Sequence, residues 1–264
     1  MGRARARACS LALLLVVTSC TGASSGRSAA VPTPSHVPGS PVTYAAIGAS
    51  ETTGVGTFDP LRNAWPRVLW RQTLPAGSTL LDLGVSGTLA SQALIDQVPE
   101  AVALHPDLAT VWLNVNDLIH GVAPKRFGRT LDGIVHRLLA GGSTTVLVAN
   151  VPHVESLPIY LACVSPNGLF TAPLGNVVQC PPELVGLVPG PSEVRATVAA
   201  YNRATARVVR AEGAVLVDLH GLGPLPAERP ETIAEDGFHP SNEGARVVAA
   251  IFGRAWTDAS SDAR

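Results

Sequence analysis

Between positions 42 and 256, short apolar runs alternate with longer stretches in which apolar residues recur at helical spacing. Tyr44 to Ile47 is the first run and stops at Gly48. Thr79 to Leu83 stops at Gly84, and Leu108 to Leu113 leads into Asn114-Val115-Asn116-Asp117. Thr144 to Ala149 and Ala214 to Leu219 complete the set. Continuous apolar runs of this length predict strands buried on both faces. Helices are predicted over Asn63–Leu74, Thr88–Leu104, Pro124–Leu139, Ser192–Glu212 and Pro240–Trp256. Pro66 fits a first helical turn, Ser192 reads as a cap and Gly213 as a stop. Five strands alternating with helices imply a parallel α/β sheet covered on both sides, with the strand order left open. The stretch from Val151 to Pro191 has no period and reads as irregular; Thr257–Arg264 reads as a small, polar, disordered tail.

The front of the chain follows another pattern. Arg3, Arg5 and Arg7 precede an apolar stretch from Leu11 to Val17, too short to span a bilayer comfortably. Val17-Thr18-Ser19-Cys20 then resembles the lipobox of bacterial lipoproteins, which implies a signal peptide over 1–19 and a lipid on Cys20. The alternative is an ordinary secretory signal and a secreted protein. Thr21 to Val42 is rich in Ser, Pro, Gly and Ala and reads as a tether. One domain, 43–256, remains. Removing the leader removes three arginines and no acid, so the remainder is more acidic than the formal net charge of −1 for the whole chain. A composition of 46% hydrophobic and 15% charged residues is globular, and no basic excess points to nucleic acid. With Cys9 in the leader and Cys20 lipidated, Cys163 and Cys180 are left. In an oxidising compartment a disulfide between them is the default, free buried thiols the alternative. No Cys/His spacing suggests a zinc site.

In an open parallel sheet, ligands bind beyond the carboxyl ends of the strands. Ser50, Gly84, Ser86, Asn116 and Asp117 all follow strand ends, and Asp236 and His239 follow the last strand. A serine nucleophile needs a base in hydrogen-bond reach and an orienter for that base. Asp236-Gly237-Phe238-His239-Pro240 offers both, because the three-residue step lets the carboxylate meet the imidazole. The backbone N–H groups of Ser50 and Gly84 and the Asn116 side chain are candidate oxyanion donors.

This order resembles the SGNH hydrolases, the GDSL-type lipases and esterases, whose blocks carry Ser, Gly, Asn and His with Asp three before the His. Here these fall on Ser50, Gly84, Asn116, His239 and Asp236, over roughly Val42 to Trp256. The resemblance implies a five-stranded parallel sheet in a three-layer α/β/α sandwich, flavodoxin-like in its layering. It implies a Ser50–His239–Asp236 triad cleaving carboxylic esters, with no metal or organic cofactor. The chain departs from the pattern at Ala49, where Asp is usual, at Asn114, where Gly is usual, and at Asp82, where Asn is frequent. Asn114 is expected to narrow the site or add a donor.

Rivals are weighed against these roles. Ser86 lies in an incomplete G-x-S-x-G and reads as a turn residue. His220 near Asp218 is a rival base but reads as structural. His36, His105, His120, His136 and His153 have no partner pattern. Asp117 either orients Asn116 or caps a helix; Tyr201 and Asn202 read as helix-packing residues. The expected partners are a small-molecule, lipid or glycan ester and, through Cys20, the outer surface of the cell membrane, with the protein a monomer. A non-catalytic binding lipoprotein and an acyltransferase are the alternative functions.

Overall fold

The computed structural model describes residues 39–262. The leader, Cys20 and most of the tether lie outside those residues, as do Cys9 and His36. Strand β1 (Thr43–Gly48) is followed by two short helices, α1 (Ser50–Thr53) and α2 (Pro60–Asn63), and by α3 (Trp65–Gln72). Next come β2 (Thr79–Asp82), α4 (Ala90–Ala103), β3 (Leu108–Trp112), α5 (Val115–Ile119) and α6 (Pro124–Leu139). Beyond β4 (Thr145–Ala149) lie α7 (Pro158–Val164), β5 (Leu169–Thr171) and β6 (Val177–Gln179). The chain then forms α8 (Pro191–Glu212), β7 (Val215–Val217), α9 (Leu219–Leu222) and α10 (Asn242–Asp262).

Five strands form one parallel sheet in the order β2-β1-β3-β4-β7. Alternate residues of each strand face opposite layers. Ala45 and Ile47 of β1 pack with Ala93 of α4, Leu131 of α6 and Val198 of α8. Tyr44 and Ala46 pack the other way, with Trp65 of α3 and Phe252 of α10, whose rings stack at 4.2 Å. Both faces are covered, which is why the strands read as unbroken apolar runs. The order places β1 between β2 and β3, so the connection leaves β1 in one direction and returns past it in the other. The resulting crevice between the ends of β1 and β3 is where such sheets bind ligands.

Several expectations change. The stretch 151–191 is not irregular throughout: it holds α7 and an antiparallel hairpin of β5 and β6. Its three-residue strands are too short to leave a period. Cys163 of α7 and Cys180 after β6 are joined in a disulfide, with Cα atoms 4.9 Å apart, and bury a small core with Ala162 and Val178. Ser192 does not cap α8; the helix begins at Pro191 behind Gly190, with Ser192 inside the first turn. Gly213 does stop it, with a left-handed φ of 77°. The last helix continues past Trp256 to Asp262 in place of a disordered tail. There the Thr257, Ser260 and Ser261 hydroxyls bond back to carbonyls one turn earlier, so polar composition alone did not end the helix. Among the described residues, no helix is long and apolar enough to cross a membrane.

Candidate active site

Strand β1 ends at Gly48, and α1 begins two residues later with Ser50 as its first residue. The turn is tight enough that a Cβ on Gly48 would stand 2.0 Å from Thr52 Oγ1, so only glycine fits. Gln97 of α4 holds the same glycine. Its side chain accepts from Gly48 N–H and donates to Gly48 C=O, both at 3.0 Å, and it is only 3% exposed. Ser50 is thus fixed at the crevice mouth, 8% exposed.

His239 arrives from the loop before α10. His239 Nε2 lies 2.9 Å from Ser50 Oγ, and His239 Nδ1 lies 2.7 Å from Asp236 Oδ2. A carboxylate only accepts, so Nδ1 carries the proton and Nε2 presents its lone pair to the serine hydroxyl. Asp236 Oδ1 accepts the N–H groups of Phe238 and His239 at 2.9 and 3.0 Å. Burial raises the Asp236 carboxyl, but the hydrogen bonds from the His239 ring and these two amides outweigh it and hold its pKa below the ordinary value. Gly237, at φ 72°, lets this turn close. A Cβ there would stand 2.8 Å from Val178 of β6, and Gly237 C=O accepts Ile159 N–H of α7 at 3.1 Å. The disulfide-linked α7 and hairpin therefore back the Asp236–His239 turn.

Gly84 abuts α1, the helix that Ser50 begins: a Cβ there would meet Thr53 N at 3.0 Å. Its N–H faces Asp82 Oδ1 at a long 3.3 Å. Burial pushes the Asp82 carboxyl up, while Gly84 N–H and Arg67, 3.8 Å away, pull it down; the balance is raised. Asn116 lies on α5, just past β3, and one N–H of its amide donates to Thr88 C=O at 3.1 Å. That bond aims the side chain and leaves the second N–H of the amide for another acceptor. Asp117 caps a different helix, accepting Ala90 N–H at the start of α4 at 2.8 Å. Asn114 does not enter the site as expected. Its amide is buried and donates to Ala149 C=O at the end of β4, so it ties two strands together.

The rivals fall elsewhere. Ser86 Oγ lies 3.3 Å from Thr53 Oγ1 in the turn after β2. The His220 ring lies against His153, centroids 3.8 Å apart, and Asp218 accepts from Asn150 and Gly221 rather than from His220. His120 bonds Asn116 C=O, His136 bonds Glu212 and His153 bonds Glu155. Tyr201 donates to Val122 C=O and Asn202 brackets the Val151 backbone, both as helix-packing contacts.

Residues 46–247 of the sequence match the GDSL-like lipase/acylhydrolase family. The chain belongs to that family. Its fold is also that of TesA, with 18% identity, a TM-score of 0.59, and coverage of 82% of this chain and 99% of that one. The psychrotrophic esterase EstA from Pseudoalteromonas sp., in a structure inhibited by monoethylphosphonate, aligns at 13% identity and TM-score 0.55, over 82% and 97% of the two chains. A family 3 carbohydrate esterase from Clostridium thermocellum aligns at 16% identity and TM-score 0.57, over 85% and 100%. No curated protein matches in sequence.

Two residues of this GDSL-like site escaped the sequence reading. Gln97 is a polar position on the otherwise apolar inner face of α4, beside Ala93, Val98 and Ala101, and that break in the pattern was its signal. Glu51, next to Ser50, is also 8% exposed. Burial raises its pKa, and its own backbone N–H, His239 and the Ser50 side chain only partly offset that. Nothing in the spacing marks Glu51, because its burial depends on how α1 folds against the sheet.

Proposed function

We propose that the protein is a serine esterase that cleaves carboxylic esters by acyl transfer to Ser50 and then to water. The observation that carries this reading is the unbroken chain of contacts from Ser50 Oγ through His239 to Asp236, at 2.9 and 2.7 Å. Ser50 Oγ attacks the ester carbonyl as His239 Nε2 takes its proton. Asp236 holds the Nδ1–H and stabilises the imidazolium. The Ser50 and Gly84 N–H groups and the second N–H of Asn116 receive the carbonyl oxygen as it becomes negative. His239 returns the proton to the leaving alcohol, then activates a water that releases the acid. Family membership and the esterases among the structural neighbours agree with this chemistry.

The same reading puts the domain outside the cytoplasmic membrane, held by lipid on Cys20. The lipobox-like Val17-Thr18-Ser19-Cys20 supports it, as does a disulfide of the kind that persists in oxidising compartments.

The test is hydrolysis of chromogenic esters by residues 39–264 and by two variants. Ser50→Ala is expected to abolish turnover. Asn116→Ala is expected to lower kcat by about 10²–10³ with little change in KM, because the oxyanion exists only near the transition state. A rise in KM alone would make Asn116 a substrate-binding residue. Full activity in Ser50→Ala would overturn the proposal.

A further inference from the structure

A half-open cavity of about 100 Å³ lies beside Ser50 and His239, lined by the chain neighbours of both. Glu51, peptide-bonded to Ser50, is one lining residue, and Phe238 is another. The Phe238 ring meets the His239 imidazole edge-on at 4.7 Å. The remaining wall is mostly apolar: Trp112 at the end of β3, Leu157 ahead of α7, and Val248 and Ile251 of α10.

Native interiors hold few voids larger than a water molecule, because an empty apolar space forfeits the dispersion contacts that packing would supply. No step of the acyl-transfer chemistry above uses this one. A concave, mostly apolar space with few polar groups, flanked by the chain neighbours of Ser50 and His239, has the make-up of a ligand site. Its size limits what enters. A cavity of about 150 Å³ lined by apolar side chains takes a benzene ring, so this smaller one takes only a short chain.

We propose that this cavity receives the acyl chain of the substrate ester and restricts it to about four carbons. This rests on the esterase reading of Ser50. Each methylene that enters the cavity should raise kcat/KM about fourfold, the benefit of about 0.8 kcal/mol for a buried CH₂. Carbons beyond its depth add nothing or clash. Val248 shares the wall contributed by α10 with Gly244, Val247 and Ile251, so changing its volume changes that depth.

The experiment compares kcat/KM for p-nitrophenyl acetate, butyrate, hexanoate and octanoate in wild type, Val248→Phe and Val248→Ala. Wild type is expected to peak at butyrate. Val248→Phe should shift the peak to acetate and Val248→Ala to hexanoate, each changing the hexanoate-to-acetate ratio about tenfold or more. In parallel, thermal unfolding with butyramide, an unreactive mimic of the acyl half, should show a raised Tm in wild type and Val248→Ala but not in Val248→Phe. If Val248→Phe does not fold, Val248→Ala carries the test in both assays. A chain-length profile that neither substitution alters, or one that rises through octanoate, overturns the pocket while leaving the esterase intact. Butyramide stabilisation as described without hydrolysis of any ester would keep the pocket and overturn the esterase reading.

Discussion

Glu51 is as buried as its neighbour Ser50, and among the described residues the His239 ring is the group whose positive charge would favour its ionised form. Its ordinary pKa is 4.5, and burial raises the folded value. The folded state thus holds that proton more tightly than the unfolded chain does. Ionised Glu51 weighs against folding above the raised pKa, and the cost disappears as the pH falls below 4.5. Glu51→Gln, which never ionises, is therefore expected to raise Tm at about pH 8 and change it least at about pH 4. Equal shifts at both pH values would show that ionisation is not the cause. Gln97 makes the opposite case, a polar residue whose burial is compensated. Gln97→Leu would leave the buried Gly48 N–H without its partner. It should cost about 1–3 kcal/mol in urea unfolding, with a fall in kcat as the Ser50 turn loosens. An unchanged unfolding midpoint would mean that water replaces Gln97.

At the scale of elements, α7 and the β5–β6 hairpin act as a buttress. Val178 and the Ile159 N–H press on Gly237 between Asp236 and His239. The disulfide keeps both pieces together across a separation of 17 residues, for which chain entropy gives about 3 kcal/mol. Cys163→Ala with Cys180→Ala should lower stability by about that amount. It should also lower kcat well below the melting temperature, because the Asp236–His239 turn loses its support. Reduced stability with kcat untouched would show that the turn holds its own shape. These elements were not legible in the sequence for a physical reason. Three-residue strands leave no period, and the disulfide and the packing against Gly237 that hold them join residues far apart in the chain. The sheet strands, by contrast, were legible because both of their faces are buried. Tyr44 and Ala45 are apolar for two different cores, and the run shows it.

For the molecule as a whole, the alternation of strands and helices was readable, but the position of β1 between β2 and β3 was not, because each crossover helix fits either side of a sheet. That order brings the ends of β1 and β3 together and with them Ser50 and Asn116. The Asp236–His239 step was readable because its partners lie three residues apart, whereas the contact between Ser50 and His239 spans 189 positions and needed the residues of a known family to be anticipated. The cavity behind Phe238 had no signature at all, since it is made by side chains from five separate segments.

The most direct test of the central claim, that His239 activates Ser50 for acyl transfer, is mass mapping of the protein after reaction with an alkyl p-nitrophenyl phosphonate. The adduct is expected on Ser50 alone. Its rate of formation should fall by about 10³-fold or more in His239→Ala, the loss typical of a missing triad member, and stay unchanged in His220→Ala. An adduct on Ser86, or labelling of Ser50 at the same rate in His239→Ala, would contradict the account.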